Sequence, residues 1–276
     1  MALQLQAASR ESLAEAEIRL DSRIDAASVT ELQALGEHLF AVMRLLLAEP
    51  TLRRHLADSS VPAANRSRLA DQLLSSQVGR AALDTISDLV SGRWSRPVDL
   101  VEAVEVLARR ATLGVAEKNG DLEDVDDELF RFGRILDREP ELATLLTDPA
   151  TLADGRVALL DQVLESRVNP VTKALLEQTV RTPRGRSLDL AAEELSELAA
   201  ARRDRYVAHI ATPVALTSAQ EQRLTDTLSR LYGRAMSLQI ELDSELLGGL
   251  VVRVGGEIID GSVSSRLRAA ERTLPK

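Results

Sequence analysis

Histidine and carboxylate side chains are the first candidates for chemistry in a chain that contains no cysteine. His38, His55 and His209 lie in three different predicted elements, whereas a zinc site needs clustered ligands at short spacing. The segment Asp121–Glu128 is rich in carboxylates but lacks the glycine and the closing glutamate spacing of a calcium loop. We therefore interpret the histidines as structural and the acidic segment as a solvated helix start. The sequence predicts no metal and no cofactor.

Glycine pairs and arginine clusters are the residues that could hold phosphate. The pairs Gly248-Gly249 and Gly255-Gly256 lack the further glycines and the lysine of phosphate-binding loops, and hairpin turns explain them better. Two arginine-rich runs could contact phosphate: Arg181, Arg184 and Arg186, and Arg202, Arg203 and Arg205. A loop that connects two helices explains the first run better. No nucleophile–base pair or carboxylate pair can be argued, so we predict that the chain is not an enzyme.

The composition favours packed helices and argues against several classes of partner. The chain has 276 residues, a formal net charge of −9, 45% hydrophobic residues and 2% aromatic residues. At this length, two or three domains are expected. The acidic balance argues against nucleic acid as the main partner, and so few aromatic side chains cannot supply stacking platforms for bases.

The chain shows no targeting or membrane segment. Residues 1–17 lack the basic start and the apolar run of a signal peptide. The longest apolar stretch, around Phe40–Ala48, is broken by Arg44 and falls short of the roughly 18–20 residues that a membrane helix needs. We expect a cytosolic protein that reaches a membrane only through a partner, without direct membrane insertion.

One segment of the sequence is repeated later in the chain at a constant offset. Glu49-Pro50 recurs as Glu139-Pro140, and matches continue on both sides without a gap. They include Leu39-Phe40 with Leu129-Phe130, Arg44 with Arg134, Arg66 with Arg156, Asp71-Gln72 with Asp161-Gln162, and Asp99-Leu100 with Asp189-Leu190. We infer two copies of one helical domain, near 10–110 and 100–206. Residues 98–118 are predicted to form one long helix that closes the first copy and opens the second.

The pattern changes after residue 205. Residues 207–213 and 238–242 alternate between apolar and polar side chains, as strands do. Between them, Ser218 and Glu221 have the spacing of a capping box that opens an amphipathic helix. Residues 250–259 read as a β-hairpin, and a helix is predicted over 263–273. The predicted fold is therefore mainly α, with helical bundles at 1–98 and 99–206 and a small α+β domain at 207–276.

The C-terminal domain carries a motif with a strong family resemblance. An aspartate is followed by a double glycine, an alternating apolar strand, Asp-Gly-Ser and an Arg-Leu helix. These positions are Asp243, Gly248, Gly249, Asp260, Gly261, Ser262, Arg266 and Leu267. The motif closely resembles that of the δ subunit of bacterial F-type ATP synthases, called OSCP in mitochondria. The resemblance covers residues 100–276, and actinobacterial δ subunits look similar in carrying an extra helical copy.

The resemblance implies a stator that resists rotational torque in the peripheral stalk, with one copy per complex on the cytoplasmic face of the cell membrane. Family members bind the N-terminal helices of α subunits in a groove between their first and fifth helices. Carried onto the second copy, this groove would use Ala108, Ala111, Thr112 and Val115 opposite Leu175, Leu176 and Val180. The first four share one helix face. The alternative is that Val115, Leu175 and Leu176 only fill the core.

The resemblance also implies that the C-terminal domain binds the C-terminal helices of the b-type stalk subunit. Its glycines and Asp260 would shape the hairpin and the final helix without touching a partner. Two other functions stay open at this point: a helical-repeat adaptor of another complex and, less favoured, a phosphate-handling enzyme.

Overall fold

A computed structural model describes residues 5–267 except 166, 205–206, 233–235, 244 and 255–256. The chain divides into two compact units, residues 1–199 and 200–276. The predicted fold class is confirmed, because helices fill the first unit and a small four-stranded sheet lies in the second. One continuous apolar core runs through the first unit, from Leu5 to Ala199. The domain boundaries at 98 and 206 stay predictions.

The helices of the first unit repeat at the offset seen in the sequence. Three consecutive helices of the first copy have partners of the same length 90 positions later. The elements are α1 (Ala7–Ala26), α2 (Val29–Ala48), α3 (Pro50–Ala57), α4 (Ala63–Leu74), α5 (Arg80–Ser91), α6 (Pro97–Asn119), α7 (Leu122–Arg138), α8 (Pro140–Thr147), α9 (Ala153–Leu164), α10 (Pro170–Arg181) and α11 (Leu188–Asp204). Because α3 and α8 both begin with proline, the ring that favours a first helical turn fixes the same starting point in both copies.

Helix α6 is the predicted long helix between the copies, and it is confirmed as a single helix. It begins at Pro97 and ends at Asn119, and the next residue, Gly120, has a φ of 81°, the left-handed conformation that commonly closes helices. It packs against α1, α2, α3 and α5, which precede it in the chain, and against α7 and α10, which follow it. From Leu100 to Ala116 every residue is buried except the partly buried Glu102 and Arg110. A helix buried on nearly all sides belongs to the core, so its few charged side chains need partners there.

Helix α2 lies along α6. Its start is fixed by a capping box, because the Ser28 hydroxyl accepts from the Glu31 N–H and the Glu31 carboxylate accepts from the Ser28 N–H. The two helices approach closely at Gly36, where an added Cβ would lie 2.5 Å from Oγ1 of Thr112. A side chain at position 36 would therefore push α2 away from α6.

The second unit packs one helix against a four-stranded sheet. Its elements are β1 (Val207–Thr212), α12 (Ser218–Tyr232), β2 (Ser237–Leu242), β3 (Val251–Val254) and β4 (Glu257–Asp260), with the strand order β2-β1-β3-β4. Strands β1 and β2 are parallel and are joined through α12, while β3 and β4 form the predicted antiparallel hairpin. Ala208, Ile210 and Val252 of the sheet pack with Leu228 of α12 in a separate core.

Two details of this unit differ from the sequence prediction. The capping box begins one residue earlier than expected, because the Thr217 hydroxyl accepts from the Gln220 N–H and the Gln220 Oε1 accepts from the Thr217 N–H. Gly248-Gly249 is not a hairpin turn, since β1 lies between β2 and β3 and the glycine pair belongs to the connection that crosses it. The second pair, Gly255-Gly256, and the part of the predicted helix beyond residue 267 lie outside the described residues.

Candidate functional site

A cavity of about 380 Å³ opens between α2, α6 and α10. Its lining combines an apolar floor with a polar rim. The lining residues are Gln33, Glu37 and Phe40 of α2, Thr112, Val115 and Asn119 of α6, Asp121 at the start of α7, Asn169 at the start of α10, and Pro170, Val171, Ala174 and Gln178 of α10. A space of this size admits one or two large side chains, so it can receive the apolar residues of a helix lying across it.

The start of α10, at one end of the cavity, is fixed by three hydrogen bonds to two side chains. The side chain of Asn169 caps the helix, because its Oδ1 accepts from the Val171 N–H at 2.9 Å. The carboxylate of Glu128 on α7 accepts from the Asn169 N–H at 2.9 Å and from the Thr172 hydroxyl at 2.5 Å. These hydrogen bonds hold the first turn of α10 in place at the rim of the cavity.

The other end of the cavity is bridged by a contact between the two copies. Arg44 of α2 donates from Nη1 to Oε1 of Gln178 on α10 at 2.6 Å. Phe40 lies one turn earlier on α2 and is buried. The first copy thus covers part of the groove between α6 and α10 with its own helix.

The arginine run before α11 is held by carboxylates of α6. Glu105 accepts from Arg109 Nη2 at 2.6 Å and also from Arg184 and Arg186. Three further ion pairs extend the cluster: Arg184 with Glu102, and Arg109 and Arg186 with Glu194. The group contains three arginines and three glutamates, so its charges balance internally.

Burial and pairing act in opposite directions on Glu105. Burial by itself raises the pKa of a carboxyl group, but the guanidinium groups of Arg109, Arg186 and Arg184 outweigh it and lower the pKa of Glu105 below its ordinary value of 4.5. Arg184 also adopts a φ of 55°, a conformation uncommon outside glycine. These arginines hold the loop against α6, which confirms the helix-connecting interpretation. Arg181 pairs separately with Asp154 at 2.7 Å.

The glycine-rich motif of the second unit joins two backbone segments. Gly248 accepts at its carbonyl oxygen from the Val263 N–H at 2.9 Å, and Gly261 donates to the Leu250 carbonyl at 3.0 Å. Gly249 has a φ of 80°, and a Cβ there would lie 2.4 Å from the Gly261 carbonyl oxygen. Only glycine fits this crossing.

The remaining motif residues start the final helix and lie near its exposed face. Asp260 Oδ1 accepts from the Ser262 N–H, and the Ser262 hydroxyl accepts from the Ser265 N–H as a helix cap. Asp243 makes a similar local contact, accepting from the Glu245 N–H at 2.9 Å. Arg266 and Leu267 are exposed.

Comparison with known proteins bears on this arrangement. A family model described as "ATP synthase delta (OSCP) subunit" matches residues 108–274. The "ATP synthase subunit delta" of Streptomyces griseus is 45% identical over 270 residues, which cover 98% of this chain and 99% of that protein. That of a Parafrankia species is 44% identical over 279 residues, covering 99% of this chain and all of that protein.

The chain belongs to the ATP synthase delta (OSCP) family. It is a non-catalytic subunit of the peripheral stalk. The "ATP synthase subunit b-delta" of a Mycobacterium species (strain KMS) is 43% identical over 271 residues, which cover 98% of this chain and 61% of that protein. Since these alignments span nearly the whole chain, the OSCP relatives also contain the first helical copy, which lies outside the range of the family model.

The structure places the seven predicted groove residues of this OSCP protein on facing helices, with their side chains buried. Ala108 and Ala111 of α6 and all three residues of α10, Leu175, Leu176 and Val180, are part of the core. Thr112 and Val115 differ, because they also line the cavity. Burial of Val115, Leu175 and Leu176 agrees with the alternative that they fill the core. Their role in partner binding stays a prediction.

Other residues of the site were not found from the sequence. Phe40, Ala174 and Gln178 line the cavity. The sequence signal for this surface was the spacing of Phe40 and Arg44 on one face of α2. The pairing of Glu105 with Arg109 follows from their i, i+4 spacing on α6. The pairing of Glu105 with Arg184 and Arg186 depends on how the loop folds back, and no local pattern reports it.

The described residues contain no helix long and apolar enough to cross a bilayer. Among the same residues, no three metal-ligating side chains come together, and His38 instead accepts from the Gly79 N–H at 3.3 Å.

Proposed function

We propose that the chain links the catalytic head of the ATP synthase to its b-type stalk subunit and so resists the torque of the rotor, as one copy per complex. The first unit binds the N-terminal helices of α subunits, and residues 207–276 bind the C-terminal helices of the b-type subunit. This places the protein peripherally on the cytoplasmic face of the cell membrane. A link of this kind needs affinity and stiffness, and it needs no catalytic group.

The observation that carries the head-binding role is the cavity between α2, α6 and α10. It is open, apolar at its floor and held by hydrogen bonds at its rim, which suits an amphipathic helix. Thr112 and Val115 belong both to the lining of this cavity and to the predicted groove. Direct contact with Ala108, Ala111, Leu175, Leu176 and Val180 would require a helix to move, so we assign the first contact to the cavity residues.

The stiffness of the link rests on the shared helix. Helix α6 belongs to both copies and is buried around its middle, and no glycine- or serine-rich linker separates the copies. The ionic cluster around Glu105 ties the last loop of the second copy to the same helix. Load on either copy therefore passes through packed helices.

The test is binding of the full chain to a peptide from the N-terminus of the α subunit of the same organism, measured by calorimetry. Ala174→Leu fills the cavity with a larger side chain, and we expect it to weaken binding at least tenfold without unfolding the protein. Ala81→Leu is the control, because Ala81 is exposed on α5, the helix of the first copy that matches α10. Equal binding by the wild type and Ala174→Leu would remove the cavity from the site, and no binding by the wild type would remove the head-binding role.

A further inference from the structure

The two copies differ in the exposure of one matching phenylalanine. Phe40 on α2 is 4% exposed, whereas Phe130, which occupies the same position on α7, is 60% exposed. An exposed phenylalanine is worth explaining because the side chain buries a large apolar area when covered. In the first copy, the matching ring faces a cavity that another helix borders.

In the first copy, α10 lies across the cavity from this phenylalanine. Phe40 lines the cavity together with Val171 and Ala174, and Arg44 donates to Gln178 one turn further along α10. Helix α10 therefore lines the far side of the cavity with small and aliphatic side chains and offers an acceptor to the arginine.

Helix α7 presents a matching set of side chains. Asp127, Phe130 and Arg134 have the spacing of Glu37, Phe40 and Arg44. Among the residues that the structure describes, the carboxylate and guanidinium of this set pair along their own helix, Asp127 with Arg131 and Arg134 with Asp137, both at 3.0 Å.

Phe130 and Arg134 also border a cleft of about 120 Å³ against α11. Gly133 lies in the cleft opposite Ala192 of α11, where an added Cβ would make an ordinary van der Waals contact at 3.7 Å. The α11 side is lined by Asp189 and Glu193, and Leu190 beside them is 43% exposed.

We propose that this α7 face, defined by Phe130, Gly133 and Arg134 with Asp189 and Glu193 of α11, binds a helix of another subunit of the ATP synthase. The proposal rests on the proposed function for the presence of that subunit. The occupant resembles the Val171–Gln178 face of α10, with small or aliphatic side chains over Phe130 and a carboxylate or amide one turn later for Arg134. The cleft is lined by three carboxylates and one arginine, so its net charge is negative. Lysine or arginine residues therefore flank the apolar stripe of the occupant.

A second copy of this chain is a poorer occupant. In a second copy, the helix equivalent to α10 that could dock on this face is α5, where Asp84 and Asp88 replace Ala174 and Gln178. Asp84 is paired with Arg80, and Asp88 with Arg19 and Arg23, at 2.5 to 3.5 Å. These acceptors are already neutralised by their own copy, so they offer little to Arg134.

The absence of cysteine allows a direct test. The variant Phe130→Cys carries a photoactivatable maleimide and is assembled with the remaining ATP synthase subunits. Leu73→Cys, exposed on α4, is the control. We expect light to join position 130 to a helix of another subunit in high yield and position 73 in low yield, with the partner peptide identified by mass spectrometry.

The outcomes separate the two proposals. A complex that contains the labelled chain but gives no crosslink from position 130, or a crosslink to a second copy of the chain, overturns the docking surface and leaves the proposed function intact. Failure of the unlabelled wild type to assemble overturns the proposed function, and the docking surface with it. As a second measurement, Phe130→Ala weakens binding to the complex about tenfold, with an unchanged melting temperature; unchanged binding would contradict the proposal.

Discussion

Arg66 and Arg156 make the same contact in the two copies, each donating to backbone carbonyl groups at the end of the next helix. Arg66 on α4 reaches the Gly92 oxygen at 2.9 Å, and Arg156 on α9 reaches the Val180 oxygen at 3.2 Å. Each also binds the loop before its own helix, at Val61 and at Thr151. The last carbonyl groups of a helix have no partner within it and carry partial negative charge, so a buried guanidinium satisfies them well.

We expect Arg156→Ala to destabilise the first unit by about 3 kcal/mol, because several charge-assisted hydrogen bonds are lost and buried carbonyl groups are left without a donor. Urea unfolding followed by circular dichroism measures this. Arg131→Ala is the control: its side chain is 71% exposed in an ion pair on α7, and a change within about 0.5 kcal/mol is expected. Equal effects of the two substitutions would contradict a clamping role for Arg156.

The ionic cluster on α6 gives a second prediction. Glu105→Gln leaves the guanidinium groups of Arg109, Arg184 and Arg186 around a neutral side chain, and we expect a loss of about 3 kcal/mol in the free energy of unfolding. Glu15→Gln removes an exposed i, i+4 pair with Arg19 and should cost less than about 0.5 kcal/mol. A Glu105→Gln protein as stable as the wild type would show that the cluster contributes no net stability.

The same carboxyl group makes stability depend on pH. Because the pKa of Glu105 is lower in the folded protein than its ordinary value of 4.5, the folded state gains stability from this group above pH 4.5. That contribution is lost as the pH falls through the lower, folded-state pKa. Urea midpoints measured from pH 7 downward should therefore fall more steeply below pH 4.5 in the wild type than in Glu105→Gln. Parallel curves would mean that Glu105 titrates alike in the folded and unfolded states.

The matched phenylalanines give opposite predictions for stability. Phe40→Ala removes a buried ring between α2, α6 and α10, and we expect a cost of about 3–4 kcal/mol. Phe130→Ala removes an exposed ring, and we expect less than about 0.5 kcal/mol. Thermal unfolding of the two variants side by side tests this, and a large loss in Phe130→Ala would mean that its ring is buried within the chain.

Two glycines have nearly equal φ angles but different surroundings. Substituting each one therefore distinguishes the cost of the backbone conformation from the cost of steric crowding. Gly249 has a φ of 80° and Gly120 a φ of 81°, but a Cβ at position 120 meets nothing within 4 Å whereas one at 249 meets the Gly261 carbonyl oxygen. Gly120→Ala should cost about 1 kcal/mol for the left-handed conformation alone. Gly249→Ala should cost clearly more and disrupt the sheet of the second unit, as observed by NMR of its amide groups. Similar costs would show that the two backbone segments separate easily.

The repeat made much of the first unit predictable. An offset that holds from Leu32 to Leu190 requires equal helix lengths and equal loops, and prolines at Pro50 and Pro140 mark the same helix start in each copy. The same argument could not show that Phe40 is covered and Phe130 exposed. Burial of a repeated side chain depends on which copy lies next to it, and that information is not local.

The second unit shows a different limit. Alternation identified its strands, and the Thr217 cap was missed by one residue because Thr217 and Ser218 both suit a helix start. The glycine pair Gly248-Gly249 read as a turn because turn residues report local conformation only. Its position in a crossing connection is decided by strand order, and the insertion of β1 between β2 and β3 is set by packing.

Because α6 belongs to both copies, the first copy cannot be deleted without exposing this helix. Deleting residues before Pro97 would strip α1, α2, α3 and α5 from a helix whose Leu100, Leu107 and Leu113 are fully buried. The shortened chain would expose these apolar side chains to water, and we expect it to aggregate before its binding could be measured.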